Sequence, residues 1–135
     1  MASLFGYRKN QKGQMLVEVA LVLPILFVLL FGTIQFGVIY YGNINLTTAV
    51  REGARMASVG EPDEAVIYKI NSLVDANPFM DVSNIEISPT QRDINDEVIV
   101  KGDASINIFV PFLNKAIGDT FDISRSTSMI YQGSF

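Results

Sequence analysis

Glu18 is the residue whose placement most demands a chemical explanation. It follows Met15-Leu16-Val17 and precedes Val19, at the head of a run that carries no other charge as far as Tyr41. A carboxylate in an apolar medium is costly unless it reaches the headgroup level or finds a cation. The positive N-terminal end of a helix dipole favours it in part. Just upstream stand Arg8, Lys9 and Lys12, with Gly13 closing the basic stretch. A second set of acids, Asp93, Asp96 and Glu97, has enough oxygens for Ca²⁺ but lacks the ligand ladder of an EF-hand, and reads as a solvated loop between strands. Asn45-Leu46-Thr47 matches a glycosylation sequon inside an expected helix and carries little weight. With no His and no Cys in the chain, Cys/His zinc sites, disulfides and Ser-His-Asp or Cys-His catalysis are excluded. There is also no glycine-rich phosphate loop. The expectation is therefore a protein that is not an enzyme, with no metal, no cofactor and no small-molecule substrate.

The elements that must position Glu18 begin with the apolar run itself. From Val19 to Tyr41 the only polar residues are Thr33 and Gln35. Twenty-three helical residues span roughly 34 Å, enough to cross a hydrocarbon core of about 30 Å. The run is too long for a secretory h-region and continues into Phe36, Val38 and Ile39. Pro24 removes one backbone donor and should bend the helix slightly, as membrane helices tolerate. Tyr40 and Tyr41 fall where an interfacial aromatic belt belongs. The three bases before the run put the N-terminus in the cytoplasm and export everything beyond Gly42. Residues 42–135 hold 7 basic against 13 acidic residues, about −6, a poor match to nucleic acid or to an anionic membrane surface.

The basic leader ending in Gly13, with Glu18 the fifth residue after it and an apolar helix beyond, resembles a type IV prepilin cleavage motif. The stretch from Gly13 to the Leu23-Pro24 pair, with Phe36-Gly37, Tyr40-Tyr41 and Ala49-Val50-Arg51-Glu52-Gly53-Ala54-Arg55, resembles the TadE-like pseudopilins of Flp (tight adherence) pilus systems. The resemblance implies that a membrane prepilin peptidase cuts between Gly13 and Gln14, where a residue without Cβ suits a tight protease site. It implies that Glu18 pairs with the N-terminal amine of a neighbouring subunit, so that a misplaced subunit would leave the charge unpaired. Major Flp pilins carry an aromatic directly after the glutamate and are much shorter. Val19 and the long distal part therefore favour a minor pseudopilin, and the lack of Cys leans towards the TadE-like branch over its TadF-like relative. The implied partners are the membrane, the peptidase and other pilin-like subunits of the assembly machinery. The implied location is the inner membrane, single-pass, with a surface pilus as a further destination.

Beyond the run, Leu46, Val50, Gly53, Ala54 and Ala57 recur at helical spacing, and Ala49, Gly53 and Ala57 form a small-xxx-small row open to helix packing, either within the domain or with a sister subunit. If Gly42-Asn43 do not break it, span and stem form one helix. Pro62 starts a second helix reaching about Ala76. After Asn77-Pro78 the period changes to two around Ile85/Ile87, Val98/Val100, and Ile106/Ile108/Val110, with Gly102-Asp103 as a hairpin turn. A helical turn over 112–117 and a last strand over 121–131 complete the expectation. The fold class is α+β: a leader over 1–13, a transmembrane helix over 14–42, and an exported domain over 43–135 with its stem at 43–59. It joins a helix pair to about four short antiparallel strands, in the general plan of pilin-like heads. The rival reading is a signal-anchored binding or sensor module unrelated to pili.

Overall fold

The protein is described by a computed structural model over residues 11–133, so Arg8, Lys9 and the rest of the leader before Gln11 lie outside the described residues. One helix, α1, runs unbroken from Gln11 to Ser58, with Pro24 inside it. Proline's missing N–H deprives the Ala20 carbonyl of its helical donor without ending the helix. Gly42 does not break α1 either, because it is used for close approach. A Cβ there would lie 2.6 Å from Ile106 Cδ1 and 3.4 Å from Met80 Sδ. The helix stops before Gly60, which takes a positive φ of 86°, and Pro62.

A second helix, α2 (Asp63–Val74), comes next, with Asp63 and Glu64 in the first turn where the helix dipole favours acids. Val66, Ile70 and Val74, one turn apart, are its buried face. Three strands then form an antiparallel sheet in the order β1 (Met80–Ser88), β2 (Glu97–Asn107), β3 (Thr120–Ile130), with a short helix α3 (Pro111–Ile117) between the last two. The architecture is α+β, a long apolar helix leading into a small helix-and-sheet head.

The sheet departs from expectation at Gly102-Asp103. These residues do not turn; they sit in the middle of β2, with Gly102 opposite Ile85 on one side and Arg125 on the other. The expected second and third strands are one eleven-residue strand, so three strands form where about four were expected. The reason is helix packing: a Cβ on Gly102 would lie 2.8 Å from Val50 Cγ2 and 3.2 Å from Leu46 Cδ1. The glycine lets α1 lie down on the central strand. In β2 the alternation is strict, with Val98, Val100, Gly102, Ala104 and Ile106 all buried. In β1 a bulge skips Ser83, pairing Val82 with Ala104 and Asn84 with Asp103. That extra residue reverses the phase, so Val82 above it and Ile85 and Ile87 below it all pack on the core.

The core lies between α1, α2 and the inner sheet face: Leu46, Ala49, Val50, Ala54 and Ala57 meet Val66, Ile70, Val74, the β2 residues and Ile123. The row Ala49, Gly53 and Ala57 is fully inside it. A Cβ on Gly53 would lie 2.5 Å from Ile70 Cδ1, so the close approach offered by the small residues is taken up by α2 of the same chain. Arg92 and Asp63 form an ion pair that ties the β1–β2 loop to the start of α2, with the Arg92 side chain only 8% exposed.

Candidate functional site

The head leaves the first half of α1 bare. Every residue from Gln14 to Phe31 is exposed, and the first residue of α1 to be buried is Gln35. From Met15 to Ile34 the bare stretch is twenty residues, about 30 Å of helix, which equals the hydrocarbon thickness of a bilayer. A soluble core helix would not expose Leu16, Leu21, Ile25 and Leu29 together, each more than 60% accessible. This helix is long and apolar enough to cross a membrane as a single-pass anchor.

Three polar side chains interrupt the apolar surface between Met15 and Tyr40, and two are satisfied within the chain. Thr33 Oγ1 donates to the Leu29 carbonyl at 2.7 Å, a bond inside its own helix. Gln35 turns to the head: its Nε2 donates to the Asn107 carbonyl at 3.2 Å, and its Oε1 accepts from the Phe109 N–H at 3.2 Å. Glu18 is the third. It is exposed, and among the described residues it accepts no hydrogen bond and pairs with no cation. It sits at the edge of a shallow groove completed by Val19, Val22, Leu23 and Leu26, residues that share one helix face.

Gly13 lies near the start of the described part of α1, half-exposed, and among the described residues nothing stands within 4 Å of where its Cβ would be. Gln14 beside it is exposed. The geometry thus brings Gly13, Gln14 and Glu18 together on one bare helix end, away from the head. Residues 13–55 match the TadE-like protein family. The TadE-like segment is almost coextensive with α1: it begins at Gly13, takes in Glu18 and the bare stretch, and ends three residues before Ser58. The head built from α2 to β3 lies outside the match. No curated protein and no solved structure matches the chain.

The electrostatics of the head are modest. Glu52 and Arg55, three residues apart on α1, form an ion pair at 2.7 Å, and the hydrogen bond from Arg55 holds the Glu52 carboxyl below its ordinary range. Asp103 is lowered too, first by a hydrogen bond from Ser124 and then by Lys101. The Asp93–Asp96 stretch is a turn: the Asp93 N–H donates to Asp96 Oδ2 at 2.8 Å, which commits that carboxylate to the backbone. Among the described residues no three acids converge as a metal set. Two features are not evident from the sequence. Gln35 reads as an isolated polar residue, although a lone amide in an apolar run is itself a sign of a partner elsewhere. The apolar stretch Phe109–Leu113 reads as a strand end and a turn, yet it is brought against α1 at Phe27–Gly32.

Proposed function

We propose that the chain is a minor pilin-like subunit, a pseudopilin, for assembly of an Flp (tight adherence) pilus, cut after Gly13 by a prepilin peptidase. In this reading α1 crosses the inner membrane with its N-terminus in the cytoplasm, and the head is exported. The observation that carries the proposal is Glu18: the one charge on the bare part of α1, five residues after Gly13 and unpartnered among the described residues. Cleavage creates a positive amine at Gln14. The amine of one subunit placed beside Glu18 of the next neutralises both groups, and a subunit out of register leaves both exposed to an apolar medium. Selective pairing of this kind sets axial position, which is what an assembling subunit needs. The role is structural and contains no catalytic step. The TadE-like match supports the association with a pilus system. The length of the chain beyond the helix supports a minor subunit.

The test is replacement of Glu18 in a host whose own copy of the gene is deleted and whose pili can be counted. Glu18→Gln keeps the side-chain shape and removes the charge. Filament number should fall by about tenfold or more in Glu18→Gln and Glu18→Ala, a loss on the scale of a broken buried ion pair, with the protein still in the membrane fraction. Normal filaments from both variants would contradict the assembly role.

A further inference from the structure

The reading of α1 as a membrane span places a second part of the chain at lipid depth. The segment from Phe109 to Leu113 faces the last two turns of the bare helix across an open cleft of about 680 Å³, with Phe27, Phe31 and Gly32 on one wall and Phe109, Phe112 and Leu113 on the other. Resting on that reading, we propose that Phe109–Ile117 is a second membrane contact: α3 dips into the leaflet nearest the head, and lipid acyl chains fill the cleft.

Depth is the first argument. The bare stretch ends at Ile34, and Phe27 lies about 10 Å below that point along the axis, so whatever faces Phe27–Gly32 sits in the upper acyl region of the same leaflet. That depth is what interfacial helices occupy, about 5–10 Å into the headgroup and acyl boundary. Surface chemistry is the second. Phe112 is 73% exposed, Ile117 56% and Phe109 47%, a set of large apolar side chains that water alone would disfavour. Lys115, also exposed, carries a long apolar stem and a charge able to reach phosphates.

The backbone supplies the third argument. In lipid, unpaired N–H and C=O groups cost several kcal/mol each, so a segment entering lipid must bring its partners with it. This one does so at several residues, although the Val110 and Phe112 N–H groups have no partner among the described residues. The Asn107 carbonyl and the Phe109 N–H are held by Gln35, and the Ile108 N–H donates to the Asp119 carbonyl at 2.8 Å. Pro111 has no N–H, and the Leu113 and Asn114 N–H groups both donate to the Val110 carbonyl. The tilted pair Phe79–Phe109, with ring centroids 6.2 Å apart, fixes the elbow from the sheet side.

The absence of native cysteine makes the test direct. Full-length protein carrying a single environment-sensitive fluorophore through Phe112→Cys, Ile117→Cys, Leu26→Cys or Glu61→Cys is reconstituted in phosphatidylcholine vesicles with and without acyl-chain doxyl quencher. All four positions are exposed, so the fold tolerates the substitutions. Quenching is expected at positions 26, 112 and 117 and absent at position 61, which lies just past the far end of α1. Quenching at 26 without quenching at 112 and 117 overturns the α3 contact and leaves the span standing. A label at 112 that is shielded from water yet not quenched from the lipid assigns the cleft to another protein chain and also overturns the contact. No quenching at 26 overturns the anchor reading itself.

Discussion

The Gln35 side chain holds the backbone of Phe109, accepting its N–H at 3.2 Å while donating to the Asn107 carbonyl from the other end of the same amide. This is the first point at which the head grips α1, seventeen residues after Glu18. Below it the helix is bare; above it the helix is part of a packed domain. Gln35 is itself only 1% exposed, so its amide has these two backbone groups and no water as partners.

Replacing that amide should therefore be felt. Gln35→Leu keeps the volume and leaves one donor and one acceptor unpaired, at about 1–3 kcal/mol. Denaturant unfolding of the full chain in detergent micelles should show a lower midpoint for this variant. Thr33→Val, which removes a hydroxyl bonded only within its own helix, should stay within about 0.5 kcal/mol of the parent. Equal stability of Gln35→Leu and the parent would mean that the amide does not join helix and head.

Glycines on α1 should separate into two kinds. At Gly53 a new Cβ would meet Ile70 Cδ1 at 2.5 Å and Cγ1 at 2.8 Å, and Ile70 is itself fully buried. Overpacking costs about 1–3 kcal/mol and the helix gains about 1 kcal/mol from alanine, so Gly53→Ala should destabilise by about 1 kcal/mol. Gly37 is exposed with nothing within 4 Å of its Cβ position, and Gly37→Ala should be neutral or stabilising. The same micelle unfolding assay distinguishes them.

Acid should weaken the head in a defined direction. Glu52 and Asp103 are both lowered from ordinary values of 4.5 and 3.8 by hydrogen bonds from Arg55 and Ser124 respectively. A carboxylate whose folded pKa is depressed contributes stability above its unfolded pKa, and that contribution is lost as pH falls through the folded value. The unfolding midpoint should be flat from neutrality to about pH 5 and fall below it. Glu52→Gln should lower the neutral plateau slightly and make the acid decline shallower; both carboxylates are partly exposed, so the effect is small and reduced by salt. A midpoint that rises on acidification would contradict these pairings.

Much of this arrangement was legible in the residues. The apolar run, the stripe Leu46-Val50-Ala54-Ala57 and the start of α2 at Pro62 stem from periodicity and from proline, which act locally. Gly102-Asp103 misled because its local signal is that of a turn. Its actual role, making room for Leu46 and Val50, depends on a helix more than fifty residues away in sequence. The β1 bulge at Ser83 and the burial of Arg92 beside Asp63 are likewise properties of pairing and packing, with no local signature. Around the candidate site the reverse holds. Gly13, Gln14 and Glu18 lie on a helix end that the head does not touch, so their sequence spacing is already their geometry.

The central claim is that this helix end is a processing and assembly element, and cleavage tests it most directly. Full-length protein co-expressed with a prepilin peptidase should be recovered, by intact mass and N-terminal sequencing, without residues 1–13 and beginning at Gln14. Gly13→Ala, whose added Cβ meets nothing among the described residues, should leave the chain stable but uncut. An intact Met1 in the presence of active peptidase, or a cut near Gly42, would contradict the account.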